Sequence, residues 1–142
     1  MSRPIIRWGI LGTGMIAEKF AQGISLSQSG EPRAIASRNS DKAGDLIQQL
    51  RDWSGVNHSF DVTEAVEGYE VLIGHPDVDA VYIALPNHLH KKWTINALRA
   101  GKHVLCEKPL ALNAAEAEEL FAVASEEGRV LIEAFMYRAL PQ

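Results

Sequence analysis

The run Ala80-Val81-Tyr82-Ile83-Ala84-Leu85 carries no charge and no alternation of polar with apolar side chains. A strand with one wet face alternates, so an unbroken run of this kind, opened by His75-Pro76-Asp77 and closed by Pro86, predicts a strand buried on both faces. Such strands belong to parallel sheets with helices on either side. The remainder of the chain must then supply those helices.

It does so in order. Ile5, Ile6, Trp8, Ile10 and Leu11 read as a first strand that stops at Gly12, and Ile16, Phe20 and Ile24 form one stripe of a helix over 15–25. A short second strand at 34–36 leads to Asn39 or Ser40 as an N-cap and to Ala43, Leu46, Ile47 and Leu50 at helical spacing. Residues 51–62 carry the weakest pattern, with a strand expected at 56–60, and 63–73 reads as a helix. After the central strand come a helix over 89–100 ended by Gly101, a strand at 103–106, and a helix capped by Asn113 and Glu116. That helix turns Ala117, Leu120, Phe121 and Ala124 inward and closes at Gly128, before a last strand at 130–132. The pattern predicts an α/β fold, a doubly wound parallel sheet of about six strands with helices on both faces.

Composition narrows the function classes. The 142 residues are 46% hydrophobic and 23% charged with a formal net charge of -4, which suits one domain with a core and leaves no basic face for a nucleic-acid backbone. The single Cys106 excludes an internal disulfide and, inside an apolar strand, reads as a core residue. No apolar run approaches the roughly 18 residues of a membrane span. A cytoplasmic protein is expected.

Gly12-Thr13-Gly14-Met15-Ile16-Ala17 fits G-x-G-x-x-A at the junction of the first strand and first helix. Gly12 permits the tight turn, Gly14 leaves room for a pyrophosphate against the backbone, and Ala17 lets helix and strand pack closely. The helix N-terminus then offers N–H groups and a positive dipole end to the phosphates, so an acidic protein can bind an anion locally. At the end of the second strand stands Ser37-Arg38-Asn39, where a carboxylate would hold a free ribose 2′-hydroxyl. A hydroxyl and an arginine suit a 2′-phosphate instead, so NADP is expected, with NAD open.

Ligands of such sheets lie across the carboxyl ends of the strands. Those ends carry residues 12–17, Ser37 and Arg38, Leu85-Pro86-Asn87-His88, Glu107-Lys108-Pro109 and Glu133-Ala134. Lys108 is expected beside the nicotinamide, where it can hydrogen-bond a substrate hydroxyl that is becoming a carbonyl. Pro109 fixes its backbone, with a cis bond as one way to build the turn, while Glu107 orients the ammonium group or caps backbone donors. His88 and His90 lack further ligands at a metal spacing, so no metal site is expected.

The segments GTGMIA, ASRN, VDAVYIALPNHLH, AGKHVLCEKPLA and EAFMYR together resemble the N-terminal nucleotide-binding domain of the Gfo/Idh/MocA oxidoreductases. Within that family Ser37-Arg38 and EAFMYR are most similar to NADP-dependent dihydrodiol and D-xylose dehydrogenases. The resemblance implies that Lys108 is the active-site lysine, that Glu107 is a cofactor-side acid, and that Pro86, Asn87 and His88 line the nicotinamide ribose. It places Tyr137 and Arg138 at the passage to a substrate domain. The implied cofactor contacts are Gly12, Thr13, Gly14, Met15, Ile16, Ser37, Arg38, Leu85, Pro86, Asn87, His88, Glu107, Lys108, Ala134 and Arg138.

The resemblance further implies hydride transfer between a nicotinamide and a sugar or cyclic diol, so a carbohydrate or polyol is the expected small-molecule substrate. Residues 1–142 would then be the dinucleotide-binding domain, and the family's C-terminal substrate domain has no counterpart in this sequence. An oligomer contact through the apolar C-terminal segment, Phe135, Met136, Tyr137 and Leu140, is a further expectation. A non-catalytic nucleotide-binding module or sensor stands as the alternative function. A methyltransferase is disfavoured, because Arg38 replaces the acid that would hold ribose hydroxyls.

Overall fold

The computed structural model describes residues 3–55 and 58–135. Its elements are β1 (Ile6–Leu11), α1 (Met15–Ser25), β2 (Gly30–Ser37), α2 (Ser40–Ser54), β3 (Glu64–Glu67), α3 (Tyr69–Ile73), β4 (Ala80–Ile83), α4 (His90–Arg99), β5 (His103–Glu107), α5 (Ala114–Glu127) and β6 (Leu131–Ala134). A short 3-10 turn, Asn87–Leu89, leads into α4. The strands form one sheet in the order β3-β2-β1-β4-β5-β6, all parallel. The order reverses between β1 and β4, and that switch point is where such a sheet opens a crevice at its carboxyl edge.

Two buried clusters flank the sheet. On one face α1 and α2 contribute Ala17, Ala21, Ala43, Leu46, Ile47 and Leu50 against Ile10, Ile35 and Tyr82. On the other, α3, α4 and α5 bring Leu72, Trp93, Leu98, Leu120 and Ala124 onto Leu11, Ile83, Val104 and Cys106. All four residues of β4 are buried, as the unbroken apolar run requires. Residue-level alternation explains the split, since Ile10 and Leu11 are neighbours that point to opposite faces.

Caps set several helix ends. The Asn39 side chain accepts from the Asp41 N–H at 2.7 Å, so Asn39 and not Ser40 opens α2. Asn113 accepts from the Glu116 N–H at 2.9 Å, whereas the Glu116 carboxylate reaches back to the Leu112 N–H at 3.0 Å, one residue earlier than a strict capping box. Gly128 closes α5 in the left-handed conformation.

Three expectations need correction. The segment 63–73 is not one helix: Glu64–Glu67 pairs with β2 as an edge strand, and helix begins only at Tyr69. Gly68 at φ 92 interrupts any helix there, and its N–H donates to the Ser37 carbonyl at 2.9 Å. Pairing with β2 and burial of Val66 override the helix propensity of Glu and Ala, and the exposed glutamates suit a sheet edge.

The strand expected at 56–60 is not found: 58–60 include no strand, 59–62 form a turn with Phe60 fully buried, and Val56 and Asn57 fall outside the described residues. Phe121 is half exposed, because the inward stripe of α5 runs Leu120, Val123 and Ala124. Smaller shifts concern the strands. β2 begins at Gly30 and accommodates Pro32 beside a register irregularity between Trp8 and Gly9, the kind of place a sheet tolerates proline. β6 runs to Ala134.

Candidate functional site

At the switch point Gly12 adopts φ +112, and a Cβ there would lie 2.6 Å from the Ala84 carbonyl oxygen. Its N–H donates to the Ala36 carbonyl at 3.0 Å, so the turn is tied to β2 while it presses against the end of β4. Two steps on, Gly14 caps α1 from an extended conformation and has no side-chain acceptor to offer the helix. A Cβ on Gly14 would meet no protein atom within 4 Å. The glycine therefore clears space in front of the first turn of α1, where Met15 and Ile16 are exposed and Ala17 is buried against the sheet.

That space is part of a cavity of about 530 Å³ lined by Gly12, Thr13, Gly14, Ser37, Arg38, Asn39, Lys42, Tyr69, Ala84, Leu85 and Pro86. Gly14, the N-cap of α1, lies on its wall without a side-chain acceptor for the helix, and two cationic residues, Arg38 and Lys42, line it as well. Its donor set fits a dinucleotide: backbone amides for the diphosphate and cations where a 2′-phosphate would lie. Ser37 is 7% exposed, and its hydroxyl faces the Asn39 N–H at 3.4 Å, so the cation at this position is supplied by Arg38.

The remaining expected contacts stand at the same carboxyl edge, beyond the lining of that cavity. Asn87 and His88 sit exposed in the 3-10 turn after β4, Glu107 ends β5, Lys108 and Pro109 follow it exposed, and Ala134 ends β6. The Lys108–Pro109 bond is cis. Arg138 and Tyr137, like Met136 and Leu140, lie outside the described residues.

Glu107 is held from two sides. The buried Tyr82 hydroxyl donates to one carboxylate oxygen, and the Lys108 N–H donates to the other at 3.3 Å. Burial, followed by this bond to a carboxylate, raises the Tyr82 phenol well above its ordinary range, so it stays a donor. Phe20 of α1 stacks on the Tyr82 ring at 3.9 Å between centroids, and Trp8 meets Phe20 edge-on at 5.1 Å. Helix α1, which opens the phosphate-binding turn, thus also fixes the ring that orients Glu107.

Cys106 is fully buried, and burial pushes its thiol up to about 12, so it packs the core and is no nucleophile. His90 is also fully buried, with both ring nitrogens against main-chain carbonyls, which leaves no open side for a metal. Among the described residues no cluster of His, Cys, Asp or Glu has the arrangement of a metal site. No helix among them is long and apolar enough to cross a membrane.

The profile of the oxidoreductase family with an NAD-binding Rossmann fold matches residues 6–135. The chain belongs to that family. It is 44% identical over 138 residues to the dTDP-3,4-didehydro-2,6-dideoxy-alpha-D-glucose 3-reductase of Actinomadura kijaniata, a match covering 96% of this chain and 38% of the relative. It is 40% identical over 134 residues to D-xylose 1-dehydrogenase (NADP(+)) 2 of Haloferax volcanii, covering 94% of this chain and 38% of that enzyme. The crystal structure of a 3-ketoreductase from Actinomadura kijaniata in complex with NADP and TDP-benzene superposes with a TM-score of 0.85 at 43% identity, covering 97% of this chain and 39% of that one. The chain thus spans well under half the length of these relatives.

Family membership agrees with the fold and with the glycine turn read from sequence. Lys42 and Tyr69 line the cavity but were not expected there. Lys42 stands one turn into α2, three residues after the Asn39 cap, and that spacing was a usable signal. Tyr69 was hidden by the misread third strand, whose end it follows.

Proposed function

We propose that this chain is the NADP-binding half of an oxidoreductase that moves a hydride between the nicotinamide and a carbohydrate or polyol carbon. The observation that carries the reading is the polar cavity at the switch point, where an uncapped helix N-terminus and Gly14 face Arg38 and Lys42 across one crevice. In this reading Gly12, Thr13, Gly14, Met15 and Ile16 surround the diphosphate, and Ser37 and Arg38 take the 2′-phosphate end. Leu85, Pro86, Asn87 and His88 border the nicotinamide ribose, with Glu107, Lys108 and Ala134 beyond it. The names of the relatives support both the cofactor and the class of substrate, since one is an NADP(+) xylose dehydrogenase and another reduces a keto sugar.

The nicotinamide, when bound, accepts or returns the hydride. The protein orients and moves protons. Lys108, exposed at the end of β5, donates a hydrogen bond to the substrate oxygen as it changes between hydroxyl and carbonyl. Glu107, fixed by Tyr82 and by the Lys108 N–H, keeps that turn in one geometry. Residues 1–142 would be the dinucleotide-binding domain, and the relatives' additional length would correspond to the substrate-binding part.

Titration of the purified chain with NADPH and NADH, followed by nicotinamide fluorescence, tests the reading. Saturable binding with preference for NADPH is expected, from the charge-assisted contact that Arg38 offers a 2′-phosphate. Binding of neither nucleotide would reject the cofactor assignment. A preference for NADH would remove the role given to Arg38.

A further inference from the structure

His90 opens α4 and is fully buried. Its Nδ1 lies 2.7 Å from the Pro109 carbonyl oxygen and its Nε2 lies 2.7 Å from the Leu85 carbonyl oxygen. Carbonyl oxygens only accept, so a neutral ring would set a bare nitrogen lone pair against an oxygen lone pair at that distance. Both contacts are attractive only when both nitrogens carry protons.

An isolated buried imidazolium is costly, and the structure supplies a compensating charge at one remove. The peptide that joins Pro109 to Leu110 accepts from His90 through its carbonyl, while its N–H donates to the Glu133 carboxylate of β6 at 2.7 Å. Carboxylate, peptide, imidazolium and the Leu85 carbonyl form one chain of hydrogen bonds, each polarising the next. Other charged groups on the surrounding elements are Glu107 and Lys108 after β5, His88 before α4, Lys91 paired with Glu119 at 2.7 Å, and Glu116 capping α5. Among the described residues, Glu133 is the one of these that reaches His90 through a shared peptide.

We propose that His90, as an imidazolium, and Glu133 are positioning residues that clamp the turn carrying Lys108 to the loop that begins at Leu85. The clamp joins the ends of β4, β5 and β6, the three strands whose loops border the nicotinamide end of the proposed site. It rests on that reading of the carboxyl edge. Neither residue is a catalytic group, since His90 is buried and acts through two main-chain oxygens.

A long-range proton–nitrogen spectrum of the imidazole rings of the nitrogen-15-labelled chain at about pH 8, where an ordinary histidine is neutral, tests the clamp without any variant. Both ring nitrogens of His90 should carry slowly exchanging protons. A single protonated nitrogen would overturn the proposal. Glu133→Gln keeps an acceptor for the Leu110 N–H and removes the charge, so one of the two His90 ring N–H signals should be lost from the same spectrum. Two unchanged ring N–H signals would remove Glu133 from the device.

The positioning role has its own readout. His90→Gln should weaken NADPH about fivefold or more while leaving 2′,5′-ADP, which occupies only the adenosine side, within about twofold. Equal losses for both would mean a general structural role and overturn positioning. If the unaltered chain binds neither nucleotide, the cofactor reading fails, and the proton count still decides the state of His90.

Discussion

At the amino-terminal edge of the sheet lies a cavity of about 720 Å³ lined mainly by Ile5, Ile6, Trp8, Leu105, Val130 and Ile132. At the carboxyl edge lies the smaller cavity of about 530 Å³, with its two glycines, Arg38 and Lys42. Size alone favours the first as a ligand site, yet chemistry favours the second. The polar residues lining the apolar cavity are engaged: Arg7 donates to both Asp79 oxygens at 3.0 and 2.9 Å and to Asp77 at 3.0 Å, and His103 accepts from the Val130 N–H at 3.0 Å. A polar ligand would find few free partners there. The carboxyl-edge cavity gathers the N-cap glycine of a helix that has no side-chain cap, and two cations.

The apolar cavity has a local cause in the sheet. Helices α1 and α2 cover this face over β1 and β2, whereas Ile132 on β6 remains 54% exposed. The difference between the edges is thus one between a site built from convergent polar groups and a stretch of sheet with little above it. Parallel sheets place their strand-to-helix turns, and with them the helix N-termini, at the carboxyl edge alone.

Substitutions at the two edges should separate stability from binding, and the largest effect belongs to Gly12. Gly12→Ala sets a Cβ 2.6 Å from the Ala84 carbonyl at a φ that L-residues avoid, so denaturant unfolding should show a loss of about 3 kcal/mol or more. Gly14→Asp is the sharper contrast. Its side chain enters open space, so stability should hold within about 0.5 kcal/mol, while a carboxylate facing the diphosphate should weaken NADPH more than tenfold, or about 1.4 kcal/mol. Arg38→Ala should cost about tenfold in NADPH affinity and less than about twofold for NADH, in parallel titrations.

The opposite edge should answer with stability only. Hydrogen bonding to Arg7 holds the Asp79 carboxyl below the usual carboxylate range. A depressed value in the folded state means that the stabilisation is full above the unfolded value and fades as pH falls through the folded one. Asp79→Asn should therefore cost about 1 kcal/mol at pH 7, a surface-pair magnitude, with the difference from the unaltered chain shrinking below about pH 4 and NADPH affinity unchanged. Smallest of all, Ile132→Lys should move stability by no more than about 0.5 kcal/mol and reduce binding of an apolar fluorescent dye, leaving the nucleotide titration as it was.

How far these regions could be read in advance follows the same division. The glycine turn, the β4 run and a cap at Asn39 or Ser40 are local signals, in which a few adjacent residues dictate their own backbone, and the structure has the turn and the run in place and selects Asn39 as the cap. β3 was misread because four residues, Glu64 to Glu67, owe their strand state to pairing with β2, which no local window contains. Tyr69, the next residue of the cavity wall after Gly68, was lost with it. The bonds of His90 to Leu85 and Pro109 and of Glu133 to Leu110 span loops separated by up to 23 residues and become visible only in three dimensions.

Chemical-shift mapping of the nitrogen-15-labelled chain with NADPH tests the account at its centre, because one titration surveys both edges at once. The account predicts saturable shifts at the amides of Thr13, Gly14, Met15, Arg38 and Lys42, with Ile6, Leu105 and Ile132 unmoved. Shifts concentrated around Ile6, Leu105 and Ile132 would contradict it, as would none at Gly14.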